Sequence, residues 1–171
     1  MQVPGYADFD AYTKLKEEGL LTCRIDIGQP LTGDTVILKK YFEQASRYPR
    51  ESDWIRFGYL KAFIDGSMGS GTALMFEPYS DDPGTSGLAI WPQDIFEDMV
   101  LKADKMGFQI GVHAIGDKGN FLVLNAFEKA MQVNGRRESR HRIEHAQTLQ
   151  QSDIPRFGKL GVIASMQPSH C

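Results

Sequence analysis

The 171-residue sequence has few cysteines, few histidines and no long hydrophobic run. Two cysteines are too few for a disulfide framework, so a reducing, cytoplasmic setting is expected. No run of about 18 apolar residues is present, and the N-terminus lacks the pattern of a signal peptide, so no membrane association is expected. The net charge of −3 and the lack of a basic stripe argue against nucleic acid as a partner.

Apolar residues make up 42% of the chain and charged residues 24%, which is ordinary for one globular domain. Short apolar segments alternate with helical ones, and the strands are predicted at 20–27, at 57–64, before His113, before His145 and at 161–167. This alternation predicts one α/β domain over residues 1–171, without an internal boundary and with a parallel sheet. Cys23 is expected to be a small buried residue of the first strand.

Four helices have recognisable ends or faces. Asp8 and Asp34 are candidate N-caps of the first two, and a short last helix is expected near 151–159. The helix after Pro92 has a clear apolar face, and Gly107 is expected to stop it. The residues predicted for that face are Ile95, Phe96, Met99, Val100, Ala103 and Met106.

Two apolar strands each end in a histidine, His113 and His145, with one helix between them. In a parallel sheet the C-terminal ends of neighbouring strands lie at the same edge, so the two imidazoles are expected to meet. A single histidine at a strand end is more often a hydrogen-bonded structural residue than a ligand. Two at equivalent positions favour a metal site built on strand ends.

Lys61 lies inside an apolar strand, where a charged side chain is costly unless it is paired or neutral. It could form a salt bridge, face water on an edge strand, act as an acid–base or Schiff-base lysine, or become a carbamate that binds metal. Asp65 lies on the same strand face by the alternation of side chains, so it could pair with Lys61 or contact substrate.

Other polar residues near these strands are expected to be structural. Asp117 suits a helix N-cap or a second-shell partner of an imidazole. Glu144 is adjacent to His145, so alternation predicts that it points to the opposite face, paired with Arg142. His141 lies toward the other end of the strand and is expected to be structural. The glycine-rich loop 66–72 could hold a phosphate, although it lacks the lysine of a P-loop.

Four motifs of the sequence resemble the amidohydrolase superfamily. They are Lys-Ala-Phe-Ile-Asp-Gly-Ser-Met-Gly-Ser-Gly-Thr-Ala from Lys61, His-Ala-Ile-Gly-Asp from His113, His-Arg-Ile-Glu-His-Ala-Gln from His141, and Gly-Val-Ile-Ala-Ser-Met-Gln-Pro-Ser-His from Gly161. The chain is most similar to amidohydrolase family 3, which includes N-substituted formamide deformylases. The resemblance implies a metal-dependent hydrolase with a (β/α)₈ TIM barrel and a site at the C-terminal ends of its strands.

The resemblance also implies roles for individual residues. Lys61, His113 and His145 match the metal ligands on the fourth, fifth and sixth strands, with Lys61 carboxylated in many members of the family. Asp65, Ser67 and His170 are candidates for substrate contact. One or two divalent ions, zinc most readily, would activate a water that attacks a non-peptide C–N bond of an amide, cyclic amide or formamide.

The sequence departs from the family at two ligand positions. It has four histidines but no His-x-His, and it lacks the aspartate of the eighth strand, so the general base is not assigned. The chain is therefore expected to be a central fragment, a partial barrel of about strands 3 to 7, that self-associates through its open sheet edges. A non-catalytic α/β ligand-binding module is the alternative to the enzyme.

Overall fold

The computed structural model describes residues 9–170, except the side chain of His170. Five helices alternate with five strands. The helices are α1 (Phe9–Glu17), α2 (Thr35–Arg47), α3 (Gln93–Lys105), α4 (Asp117–Asn134) and α5 (Ile154–Leu160). The strands are β1 (Ile25–Pro30), β2 (Ile55–Phe63), β3 (Ile110–Ala114), β4 (Arg142–His145) and β5 (Ile163–Ser165). Short 3-10 turns cover Met68–Ser70 and Pro168–His170.

All five strands are parallel and follow the order β1-β2-β3-β4-β5 across the sheet. Sequential order with every crossover of one hand is how a (β/α)₈ barrel is built, whereas a doubly wound sheet reverses its order at a switch point. The prediction of an α/β fold with the arrangement of a partial barrel is confirmed. Within residues 9–170, no helix combines the length and the apolar character needed to cross a membrane.

The two faces of the sheet differ in chemistry. One face is apolar and packs against the helices, and its strand residues include Leu60, Ala62, Ile110, Val112 and Ile143. We call the other the polar face, which comprises Tyr59, Lys61, Phe63, His113, Arg142 and Glu144. Neighbours across this face are in register, as for Lys61 with Gly111 and Gly111 with Arg142. Lys61 and His113 therefore lie on the face opposite the one that packs against the helices.

The first strand begins later than predicted, and Cys23 is exposed instead of buried. The N–H groups of Leu20 and Leu21 both donate to the carbonyl oxygen of Leu15, at 2.8 and 3.1 Å. These bonds close the end of α1, so the apolar residues at 20–21 serve the helix end and not the strand. The predicted cap Asp8 lies outside the described residues.

Other local predictions had mixed outcomes. Asp34 caps α2 as predicted, because its Oδ1 accepts from the N–H groups of Val36 and Ile37 at 2.7 and 3.3 Å. Gly107 follows α3 with a φ of +87°, which favours glycine. The inclusion of Ile95 in the buried face of α3 was wrong, because its side chain is 46% exposed.

Candidate metal and substrate site

His113 is held by the loop that follows β2. It is on the polar face, in register with Phe63, and the two rings are 5.1 Å apart. Its Nε2 lies 2.8 Å from the carbonyl oxygen of Gly66 and 3.6 Å from Oδ1 of Asp65. Burial lowers the pKa of His113, although the Gly66 hydrogen bond and the Asp65 charge oppose that effect. A carbonyl only accepts, so the neutral ring carries its proton on Nε2 and its lone pair on Nδ1.

His145 meets His113 at the same edge of the sheet, as the sequence predicted. The ring centroids are 4.6 Å apart and the planes cross at 75°. Nδ1 of His145 lies 2.8 Å from the side-chain oxygen of Gln167. That amide oxygen is an acceptor, so the neutral ring carries its proton on Nδ1 and its lone pair on Nε2.

A left-handed backbone explains how His145 reaches His113. His145 pairs in register with Ala114, and regular alternation would place its side chain on the face away from His113. However, the φ angles of His145 and Ala146 are +76° and +43°, so the chain turns at this point. Such angles are costly for non-glycine residues and occur where surrounding contacts impose them.

Lys61 lies on the polar face, in register with Gly111 and therefore closer than His113 to the N-terminal end of the sheet. Its Nζ is 4.9 Å from the centroid of the Phe63 ring, which also contacts His113. Burial lowers the pKa of Lys61 to about 8, while the charge of Glu144 acts to raise it and that of Arg142 to lower it. A lysine with this pKa has a much larger neutral fraction near neutral pH than an exposed lysine.

Glu144 shares the polar face, so the prediction that it points away from the site was wrong. The predicted pairing with Arg142 is confirmed, with 2.5 Å between Nε and Oε1. The guanidinium of Arg142 also lies 4.2 Å above the ring of Tyr59, two strands away. Gly111 permits this contact, because a Cβ there would lie 2.8 Å from the Tyr59 ring.

Asp65 is 1% exposed, and its carboxylate binds backbone groups. Its oxygens accept from the N–H groups of Leu74 at 3.0 Å, Ile115 at 3.1 Å and Gly116 at 2.8 Å. Burial raises the pKa of Asp65, and these three hydrogen bonds counteract that effect. The carboxylate therefore fastens the loop after β2 to the turn after β3. Its hydrogen-bond partners are these backbone N–H groups and not the amine of Lys61, with which we considered an ion pair.

Asp117 fastens the same loop from the start of α4. It is the first residue of the helix and not the N-cap that we predicted, because Gly116 occupies the N-cap position. Its Oδ1 accepts from the N–H groups of Phe76 and Lys118 at 3.0 and 2.7 Å, and Gln150 donates to Oδ2. Two buried aspartates thus hold the loop that carries Gly66, the acceptor of His113.

Ser67 is exposed at the start of the glycine-rich loop, beside the site. Its hydroxyl lies 2.8 Å from that of Ser70, which lies 2.7 Å from that of Thr72. Four backbone N–H groups of the loop are used within it, since those of Gly66, Ser67, Gly71 and Thr72 bond to loop oxygens. This use disfavours the phosphate-binding interpretation. The side chain of His170 lies outside the described part of the chain.

The donors fit a divalent metal in part. Within residues 9–170, no three side chains from His, Cys, Asp and Glu are grouped closely enough to hold an ion. The site offers two facing imidazoles, each with its tautomer set by an acceptor, and a lysine of lowered pKa. Neutral imidazoles are common ligands of zinc and other transition metals, so this set suits such an ion as part of its shell.

The sequence predicted Lys61, His113 and His145 but missed two features of this site. Gln167 was not singled out, because nothing in the spacing of the last strand shows that its amide reaches His145. Arg142 and Glu144 were assigned to another face. If the turn at His145 had been foreseen, the alternation of side chains would have placed Arg142 and Glu144 on the same face as Lys61.

Comparisons with known proteins agree with the fold. The chain is 45% identical over 119 residues to the Arabidopsis thaliana protein named "Protein LONG AFTER FAR-RED 3", covering 70% of this chain and 20% of that protein. It is 39% identical over 115 residues to "Putative amidohydrolase YtcJ" of Bacillus subtilis (strain 168), covering 67% and 21%. The crystal structure of an uncharacterized metal-dependent hydrolase from Pyrococcus furiosus superposes with a TM-score of 0.75 and 34% identity, covering 98% of this chain and 33% of that one.

This chain spans about a fifth of the length of these curated relatives and a third of that solved structure. The sequence pattern of the amidohydrolase family matches residues 2–171. Because that match covers nearly every position, the chain belongs to the amidohydrolase family.

Proposed function

We propose that this chain supplies three ligands, Lys61, His113 and His145, to a metal-dependent hydrolase of amide-type C–N bonds. The observation that carries the proposal is the edge-to-face pair of His113 and His145, with centroids 4.6 Å apart and a hydrogen-bond acceptor beside a nitrogen of each ring. When bound, a divalent metal would lower the pKa of a water and polarise the carbonyl of the substrate.

The residues of the chain have separate tasks in this proposal. His113 and His145 present the lone pairs of neutral rings at one edge of the sheet. The ring of Phe63 lies beside the amine of Lys61 and beside the ring of His113. Ser67 presents a hydroxyl at the same edge, where a polar group of a small amide substrate can be recognised.

Lys61 is proposed to act as a carbamate. Its neutral amine would attack carbon dioxide, form an N–C bond and release a proton to solvent, which leaves a carboxylate suited to a metal. We expect Lys61→Ala to lose metal and to regain it when a short carboxylate such as formate is added. Lys159→Ala, at an exposed lysine of α5, is the control. Unchanged metal content in Lys61→Ala would rule out this role.

The metal itself is the first test. The purified chain, dialysed against zinc and then against buffer, is analysed by plasma mass spectrometry. We expect about one ion per chain, and His113→Ala and His145→Ala should each weaken binding by at least about 100-fold. Gln151→Ala, an exposed change just after β4, should have no effect. Equal metal in the wild type and both histidine variants would refute the site.

A non-catalytic ligand-binding module is the second candidate. It is favoured by the finding that residues 9–170 group no three His, Cys, Asp or Glu side chains around one point. The two candidates differ in turnover, so the metal-loaded chain is incubated with formamides and cyclic amides. Product release that His145→Ala abolishes would support the enzyme, and saturable binding of such an amide without product would support the module.

The open edges of the sheet support a proposal about assembly. Among the strands of residues 9–170, β1 and β5 are at the two edges, each paired on one side. Unpaired strand edges are templates for association, so the chain is expected to self-associate through them. Light scattering over a range of concentrations tests this, and a monodisperse monomer would contradict it.

A further inference from the structure

Gln167 lies where it can control one candidate ligand. It follows β5 by two residues, and the last paired position of β4 and β5 joins Glu144 to Ser165. The side chain is half-buried, and its amide oxygen lies 2.8 Å from Nδ1 of His145. The ring of His145, at the end of β4, is therefore held by a side chain that follows the neighbouring strand β5.

The chemistry of this contact fixes the state of the ring. A neutral imidazole has one N–H, and two tautomers compete for it. The amide oxygen accepts but does not donate, so the contact stabilises the tautomer with the proton on Nδ1. The lone pair then lies on Nε2, and the hydrogen bond also restricts rotation of the ring.

His113 offers a comparison within the same site. Its Nε2 donates to a backbone carbonyl, that of Gly66 at 2.8 Å, so its lone pair lies on Nδ1. The two rings are thus set in opposite tautomers by two acceptors. The acceptor of His113 is backbone and cannot be removed by substitution, whereas the acceptor of His145 is a side chain.

We propose that Gln167 is a positioning residue that holds His145 in the Nδ1–H tautomer and thereby presents Nε2 to the metal. The metal-binding part of this inference rests on the proposed function. The tautomer part does not, because it concerns only the contact between Gln167 and His145. Groups of this kind typically change metal affinity by about 10- to 100-fold when they are removed.

The test reads the tautomer directly. Long-range ¹H–¹⁵N spectra of the 171-residue chain, recorded without metal at a pH where the rings are neutral, distinguish the two tautomers of each histidine. We expect His145 to be Nδ1–H in the wild type and to shift toward Nε2–H in Gln167→Leu. Gln167→Glu keeps an acceptor and should keep the tautomer. The exposed change Gln151→Leu is the control.

His113 serves as an internal reference in every variant. Its Nε2–H signal should persist in Gln167→Leu, which also shows that the polar face remains folded. If Gln167→Leu does not fold, Gln167→Met, which has nearly the length of glutamine and lacks the amide oxygen, replaces it with the same expectation. An unchanged tautomer of His145 in a folded variant without the acceptor would overturn the inference.

Metal affinity gives a second readout that separates the two proposals. In competition with a chromophoric chelator, Gln167→Leu should bind zinc about 10- to 100-fold more weakly than the wild type, and Gln167→Glu within a few-fold of it. A wild type that binds no zinc would refute the proposed function and leave the tautomer result standing. Equal zinc affinity in Gln167→Leu and the wild type would overturn the link between Gln167 and the metal.

Discussion

The two ends of the sheet use histidine differently. At the N-terminal end, His141 is 4% exposed and the chain engages both of its nitrogens. Nδ1 accepts from the N–H of Ile110 at 3.1 Å, and Nε2 donates to Oδ1 of Asp104 at 3.0 Å. At the C-terminal end, His113 and His145 face each other, and each donates to one acceptor. The hydrogen bonds of His141 lie within the buried N-terminal end, whereas the other two rings lie 4.6 Å apart at the edge where the candidate site is.

The ionisable groups at the two ends of the sheet also differ in their surroundings. Asp104 also accepts from Arg137 at 2.6 Å and from Asn134 at 2.8 Å, and we call Asp104, Asn134, Arg137 and His141 the basal network. Burial would raise the pKa of Asp104, but the hydrogen bonds from His141 and Asn134 and the charge of Arg137 bring it down to about 2. At the C-terminal end the pKa values of Lys61 and His113 are lowered, mainly by burial.

This contrast teaches how to tell a structural histidine from a candidate ligand. Residue type and strand position leave the question open, since His141 directly precedes β4 and His145 is its last residue. Burial and the hydrogen-bond partner are more informative, because the buried ring of His141 bonds to the carboxylate of Asp104, whereas Nε2 of His113 bonds to the backbone carbonyl of Gly66 at the edge of the sheet. The predictions below test this division, beginning with the largest effect.

Removal of the central carboxylate should break the basal network. Asp104→Ala leaves His141 and Arg137 without their shared acceptor, so we expect the free energy of unfolding to fall by about 3–5 kcal/mol. Asp98→Ala is the matched control in the same helix, because its pair with Lys102 is exposed and should contribute less than about 1 kcal/mol. Urea unfolding measures both variants. A loss below about 1 kcal/mol for Asp104→Ala would contradict the structural role of this end.

The loop beside the candidate site should be less costly to disturb. A Cβ at Gly116 would lie 2.0 Å from the carbonyl oxygen of Leu74, so Gly116→Ala forces the loop away from the turn after β3. We expect a loss of about 1–3 kcal/mol, as for overpacking, and a change in the signals of His113. Gly69→Ala, where a Cβ meets nothing within 4 Å, should be nearly neutral. Equal stability of the two variants would show that the close contact between Gly116 and Leu74 does not hold the loop.

Much of this division could be predicted from the sequence. Apolar strands that end in His113 and His145, with one crossover helix between them, place both rings at one edge in any parallel sheet. The assignment of His141 to a structural role followed from its position at the start of the strand. Lys61 was identified because a lysine among apolar neighbours requires a physical explanation.

Other features depend on backbone angles and contacts that no sequence pattern reports. Alternation predicted the wrong face for Glu144 because it was counted from His145, where φ is +76°. The pair His-Ala has no glycine or asparagine to signal such an angle. The residues at 20–21 are apolar enough for a strand, but hydrogen bonds to Leu15 place them at the end of α1.

Acid should act on the basal network in a defined direction. The pKa of Asp104 is about 2 in the folded protein against an ordinary 3.8, so its stabilisation is present above pH 3.8 and lost as the pH falls toward 2. Burial lowers the pKa of His141 below its ordinary 6.5, so the unfolded chain takes up its proton first as the pH falls. Both groups make stability fall with acid, by an amount on the order of 1 kcal/mol for Asp104 after solvent screening.

Urea unfolding at a series of pH values between 7 and about 2 measures this dependence. In Asp104→Ala the acid limb should flatten, whereas in Asp98→Ala it should match the wild type. A wild-type stability that is constant between pH 6 and about 2 would mean that the basal network is not coupled to protonation.

The smallest effect is expected at Cys23, which lies just before β1 at the N-terminal end but outside the basal network. Its exposed thiol takes part in no disulfide, so Cys23→Ser should change the free energy of unfolding by less than about 0.5 kcal/mol. In a Cys171→Ser background, Cys23 should react with a maleimide under native conditions as fast as a thiol in unfolded chain. Slow labelling that urea accelerates would show that the segment around Cys23 is protected from solvent. The protected region at the N-terminal end of the sheet would then extend beyond the four residues of the basal network.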